Sequence, residues 1–232
     1  MNILLTRPLI DVEDLMGKLF SLGHKIIHIP TLKISTSKID PVNAKKFDAF
    51  IFTSANAIKN LKLINSDKSK ICFCVGSITE KIVRQAGYNN TISAGGTVNA
   101  LKNIILNSDQ IDKKKSIAYF CGDNISSNLD IELKREGLQI EKIINYTSEK
   151  ITDLNEENNK IIKNHPPDII FIYSKRSAES FIDIVKKYAL NSLMTESRVL
   201  CISEKVLSVL KSAGWKKLEF FEPGEEIIKL EA

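Results

Sequence analysis

Short apolar runs of four or five residues alternate along this chain with stretches in which apolar residues recur every three or four positions. The clearest run is Asp48-Ala49-Phe50-Ile51-Phe52, continuous, rich in aromatic and β-branched groups, and bounded by polar residues. Unbroken apolarity marks a strand buried on both faces, as in a parallel sheet. Thr53, Ser54 and Asn56 follow at once, all suited to helix N-caps, and Ala57-Ile58-Lys59-Asn60-Leu61 opens a helical pattern. Hydroxyl and amide groups thus sit where a strand's carboxyl end meets a helix start. Open α/β sheets bind ligands at that edge, and free backbone N–H groups there favour anions.

The same alternation predicts strands at 2–5, 26–29, 71–75, 117–120, 143–147, 169–172, 199–202 and 218–221, with a short strand and turn at 91–97. Helices are expected at 11–22, 78–86, 98–106, 129–135, 177–188 and 205–213, and from Asn158 up to His165-Pro166-Pro167, where proline stops it. A short helical segment after Pro223-Gly224 ends the chain. Two polar stretches, 31–41 and 148–155, read as links between domains. Strand–helix alternation throughout implies α/β architecture, with parallel sheets covered by helices on both faces. Two sequential halves, or one domain interrupted by the other, both satisfy this pattern.

The pattern also repeats. Asp48 and Ser54 match Asp168 and Ser174 at a constant offset of 120 residues, each pair bracketing an apolar strand. Lys70–Gly87 resembles Arg198–Gly214, each ending in Ala-Gly, with glycine as the helix stop. A looser third pair sets Ile3–Gly23 against Ala118–Gly137. Matched segments at similar separations favour an internal duplication over the ordinary monotony of strand–helix units.

Composition narrows the class. With 232 residues, 43% hydrophobic and 26% charged, the chain can bury sizeable cores in one large or two small domains. Its net charge of +5 suits an acidic small molecule or no specific partner, since its lysines are dispersed. The one basic run, Lys113-Lys114-Lys115, reads as a solvated loop, so nucleic acid is not expected as a partner. Cys72, Cys74, Cys121 and Cys201 form no CxxC pair and read as buried hydrophobes in a reducing compartment. The three histidines lack metal-ligand spacing. No stretch nears the ~18 apolar residues of a membrane helix, and no leader precedes the first strand, so a cytoplasmic location is expected.

No GxGxxG, Walker A or GxSxG sequence is present, and three scattered histidines build no nucleophilic triad. What remains is a set of hydroxyls, amides and glycines at strand ends: Thr6, Thr53, Ser54, Asn56, Gly76, Thr79 and Ser174. Each alone serves as a helix cap; together with Arg7 and Arg176 they suit a site that grips carboxylates.

These residues resemble the uroporphyrinogen-III synthase family. The resemblance rests on Thr6-Arg7-Pro8, Phe52-Thr53-Ser54-Ala55-Asn56-Ala57, Val75-Gly76 with Thr79 and Gly87, Ala94-Gly95-Gly96-Thr97, Asn145-Tyr146-Thr147, and Ser174 after the Asp168 strand. It implies two flavodoxin-like parallel-sheet domains: a discontinuous one over 1–34 plus 150–232, and an inserted one over 38–146. The linkers would be two extended strands near 35–38 and 146–150. It also implies the reaction. Linear hydroxymethylbilane loses its hydroxyl and closes, with the last ring inverted through a spiro intermediate, without metal or organic cofactor.

In that chemistry, loss of hydroxide leaves a reactive azafulvene that cyclises unaided, so the protein's task is to fold and hold the substrate in an interdomain cleft. Tyr146 matches the family tyrosine proposed to assist departure of the hydroxyl. A monomer is implied, with transient contact to the preceding pathway enzyme and no membrane association. One departure stands out. The counterpart of Gly76 and Thr79 reads Ile202-Ser203-Glu204-Lys205-Val206, without glycine or threonine, and Arg176 is expected to compensate. The competing class is a cytoplasmic two-lobed binding or regulatory protein for an acidic small molecule. A receiver-like module would need a phosphorylatable aspartate at a strand end, whereas Asp48 and Asp168 precede their strands.

Overall fold

The structure, a computed structural model, describes residues 1–230. The chain opens with β1 (Asn2–Leu5), α1 (Leu9–Ser21), β2 (Lys25–His28), β3 (Leu32–Thr36) and β4 (Val42–Asn43). Next come β5 (Ala49–Phe52), α2 (Ala55–Lys59), β6 (Leu63–Ile64), β7 (Ile71–Cys74), α3 (Ser77–Gln85), β8 (Thr91–Ser93) and α4 (Val98–Leu106). β9 (Ser116–Gly122), α5 (Leu129–Arg135), β10 (Gln139–Lys150) and α6 (Glu156–Asn164) follow. The last part holds β11 (Ile169–Ile172), α7 (Lys175–Lys187), α8 (Asn191–Met194), β12 (Arg198–Cys201), α9 (Glu204–Ser212) and β13 (Leu218–Phe220). A 3-10 turn at Ile228–Leu230 stands where a terminal helical segment is expected.

Two compact units divide the chain. One takes Met1–Lys33 and the segment from Glu149 onward, the other Ile34–Ser148. In the first, five strands lie in the order β13-β12-β11-β1-β2 with every neighbouring pair parallel. Period-2 alternation splits its residues between two faces. Leu4, Ile170, Ile172 and Val199 pack against Ile162 of α6, Phe181 and Val185 of α7, and Leu210 of α9. Ile3, Leu5, Ile169 and Phe171 pack against Val12 and Leu19 of α1.

The second unit has the order β3-β10-β9-β5-β7-β8. Phe50, Phe52, Cys72, Cys74 and Phe120 face α2 and α3, while Ile51, Phe73, Ile117 and Tyr119 face α4 and α5. Phe52 and Phe120 stack with centroids 5.6 Å apart, and Phe50 meets Tyr88 edge-on at 5.8 Å. All four residues of β5 are buried, which is why the run carries no polar alternation.

Register makes the repeat exact at the level of residues. Ala49 corresponds to Ile169 at the offset of 120, so the pairings Ile3–Ile169 and Ala49–Ile117 equate Ile3 with Ile117. The pairings Ile169–Arg198 and Ala49–Ile71 equate Arg198 with Ile71. Both differ by one residue from the sequence pairing, because the helix-stop glycines align while the strand starts do not. Numbered along the chain, the first unit has the flavodoxin order 2-1-3-4-5, and the second, with its edge strand β3 left out of the numbering, the order 3-2-1-4-5. These are one sheet entered at different points.

Two elements go beyond what apolar periodicity predicts, although the family resemblance implies extended strands near both. The polar link at 31–41 contains β3, and β10 runs to Lys150, through residues read as part of the second link. β10 has β9 on one side and β3 on the other, so ladder hydrogen bonds rather than apolar side chains extend it. The two-residue strands β4 and β6 are too short to produce a periodic signal.

Candidate active site

In a doubly wound sheet the ligand crevice lies outside the carboxyl ends of the two strands at which the order reverses. Those strands are β5 and β9 in the second unit and β11 and β1 in the first. Thr53 and Ser54 follow β5, Gly122 ends β9, Tyr173 and Ser174 follow β11, and Thr6 and Arg7 follow β1.

In the second unit, Ser54 is the N-cap of α2, and its Oγ accepts the Asn56 N–H at 3.2 Å. The Tyr146 phenol lies beside the Ser54 hydroxyl and the Gly122 backbone. Thr53 Oγ1 lies 3.1 Å from the Tyr119 hydroxyl on the neighbouring strand. Burial raises the Tyr146 phenol above its ordinary value of 10, while the neighbouring Ser54 and Gly122 act against that rise.

Tyr146 reaches this position through an irregularity in β10. Pairing with β9 runs in constant register to Ile144–Cys121, then resumes at Tyr146–Gly122, so Asn145 is an extra residue in the strand. Such a bulge re-aims the side chain that follows it. The buried Asn145 fastens the bulge by donating from Nδ2 to the Ala57 carbonyl of α2 at 2.6 Å.

In the first unit, the Arg7 guanidinium lies over the Tyr173 ring and 3.8 Å from Asp11 Oδ2. Tyr173 Oη donates to Glu226 Oε1 at 3.2 Å, and Glu226, only 8% exposed, accepts the Gly224 N–H through its other oxygen at 2.8 Å. Ser174 caps α7, accepting the Ser177 N–H at 3.0 Å.

A sequence model of the family described as uroporphyrinogen-III synthase HemD matches residues 13–222. The chain belongs to the uroporphyrinogen-III synthase family. The uroporphyrinogen-III synthetase of Helicobacter pylori 26695 has a similar fold, with 16% identity and a TM-score of 0.63 over 99% of this chain and 97% of that one. A mutant uroporphyrinogen III synthase from the extremely thermophilic bacterium Thermus thermophilus gives 13% identity and a TM-score of 0.58 over 99% and 96%. Comparison with curated protein sequences finds no match.

The remaining candidates of this family member are placed unevenly. Thr6 is wholly buried, and its hydroxyl donates to the Phe171 carbonyl at 2.7 Å, so it ties β1 to β11 and presents no surface. Thr79, in the first turn of α3, is only 5% exposed. Gly76 is the N-cap of α3, where a Cβ would come within 3.3 Å of Gly96 Cα; the glycine lets two backbones approach. Asn56 lies half-exposed in the first turn of α2. Arg176 is half-buried in the first turn of α7. The Glu179 carboxyl one turn on is held below its ordinary value, chiefly by the Lys150 hydrogen bond, with Lys175 and Arg176 adding to the effect.

Sequence reasoning missed Tyr119, Gly122, Tyr173 and Glu226. Tyr173 precedes Ser174 as Thr53 precedes Ser54, so the repeat carried a signal for it. Glu226 is distant in sequence from the tyrosine it accepts from, and carried none.

Proposed function

We infer that this chain cyclises hydroxymethylbilane to uroporphyrinogen III, with loss of water and inversion of ring D. The family match over residues 13–222 carries the reading, and the strand-end geometry supplies the parts. Arg7 offers a guanidinium to a substrate carboxylate, its plane steadied by Tyr173. Thr53, Ser54, Asn56 and Gly76 in one unit, and Ser174 and Arg176 in the other, offer further donors at helix starts. Tyr146 is the acid that assists departure of the hydroxyl. Its phenol, which burial raises further above an ordinary value of 10, holds its proton at neutral pH and can give it to the leaving group.

The chemistry asks more of positioning than of proton transfer, because the azafulvene left by hydroxide closes unaided and yields the uninverted isomer when unconstrained. We place the domain boundaries at 1–34 with 150–232 and at 38–146. We propose a monomer acting in the cytoplasm that meets the preceding pathway enzyme transiently. No helix among the described residues is long and apolar enough to cross a membrane.

The test is an assay with freshly generated hydroxymethylbilane, in which type III and type I porphyrins are separated after oxidation. Predominance of type III is the expected result. Type I alone, at the uncatalysed rate, overturns the reading.

A further inference from the structure

Gly122 is a glycine that its own backbone does not require. Seven glycines of the described chain have positive φ, and Gly122 is not among them, so an L side chain is compatible with its conformation. Space forbids one instead. A Cβ built at Gly122 lies 2.6 Å from both Cε2 and Cζ of Tyr146 and 2.9 Å from its hydroxyl oxygen. The phenol therefore lies against the end of β9, in the volume a side chain would occupy.

Two further contacts hold the residue. The Asp123 N–H donates to the Tyr146 carbonyl at 3.1 Å, and Asp123 Oδ1 accepts the Ser148 N–H at 3.0 Å, so Tyr146 and the chain just after it are bound to the turn after Gly122. The Asn145 bulge puts the ring opposite Gly122 in the first place.

We propose that Gly122 is a positioning residue of the cyclisation, its missing side chain forming the slot that aims the Tyr146 phenol at the departing hydroxyl. This rests on the reading of Tyr146 as the acid. Any side chain at 122 displaces the ring from this place and turns its proton away from the substrate. A misplacement on this scale is costly in a reaction governed by orientation.

The experiment compares Gly122→Ala, Tyr146→Phe and the double variant, measuring kcat, KM and the type III share of product, with folding checked by thermal melting. We expect Gly122→Ala to lower kcat by about tenfold or more at nearly unchanged KM, and to add nothing to Tyr146→Phe, because it acts through that hydroxyl. Equal losses in both backgrounds, or wild-type kcat in Gly122→Ala, overturn the proposal. Wild-type kcat in Tyr146→Phe instead removes the acid role itself. Should Gly122→Ala not fold, Gly122→Ala with Tyr146→Ala is made. Recovery of folding supports the slot, and continued failure places the requirement in the backbone and overturns it.

Discussion

The guanidinium carbon of Arg7 lies 4.9 Å from the centroid of the Tyr173 ring. Tyr173 follows β11, Arg7 follows β1, and these are the two strands between which the order of their sheet reverses. Asp11 offers its carboxylate to the same guanidinium at 3.8 Å, which fixes the group by its face and its edge. Lysine keeps the charge and loses both the plane and the fork. Arg7→Lys is expected to raise KM for hydroxymethylbilane about tenfold, on the scale of one charge-assisted hydrogen bond, with kcat changed far less. Unchanged KM removes Arg7 from substrate binding.

Replacing Tyr146 by Phe deletes the proton and keeps the ring in its slot. The expected loss in kcat is about 10- to 100-fold, at or below the low end of general-acid catalysis, because positioning survives. Steady-state rates with porphyrin isomer analysis read both effects. A larger share of type I product accompanies the slower turnover, since unaided closure then competes.

Arg176 stands on the side where the counterpart turn has lost its glycine and threonine. Arg176→Ala is expected to raise KM several-fold without lowering the melting temperature by more than a few degrees. Identical kinetics in wild type and variant sink the idea that it compensates.

Alkaline pH should destabilise the fold over a defined window. Burial pushes the thiols of Cys74 and Cys201 up to about 12 and that of Cys121 to about 11, from an ordinary 9.0. Burial also raises the phenols of Tyr88, Tyr119, Tyr146 and Tyr173 above 10. The folded chain keeps these protons while the unfolded chain releases them, so stability is constant in this term below pH 9 and falls above it. Urea unfolding at pH 8, 9.5 and 10.5 should give a declining midpoint across the last two. Native thiols should also resist a disulfide reagent that reacts with all four cysteines in denaturant.

Phe52 has no exposed surface and stacks on Phe120. Phe52→Ala is expected to cost about 3–5 kcal/mol, the range for emptying a buried aromatic site. Denaturant titration measures it, and a loss below ~1 kcal/mol means that the cavity collapses.

How far the sequence reached follows from the range of each interaction. Strand β11 and helices α4 and α5 lie where periodicity puts them, since burial on two faces and a 3.6-residue repeat are local signals. The N-caps Ser54 and Ser174 were legible for the same reason: a cap acts within three residues. β3 and the ends of β10 were not, because polar residues enter a sheet when neighbouring strands satisfy their backbone groups.

The amino-acid sequence by itself determined the strand–helix alternation, the repeat and the strand ends where polar groups gather. Tertiary structure alone decided which of those groups face outward. Thr6 and Arg7 are adjacent, yet one is consumed by the Phe171 carbonyl and the other lies over Tyr173, a division that only the pairing of β1 with β11 imposes. The same holds for Tyr146. Side chains alternate along a strand, so one extra residue at Asn145 changes the face on which every following side chain lies. No local pattern records that residue, because the bulge exists only against the partner strand that ends in Gly122.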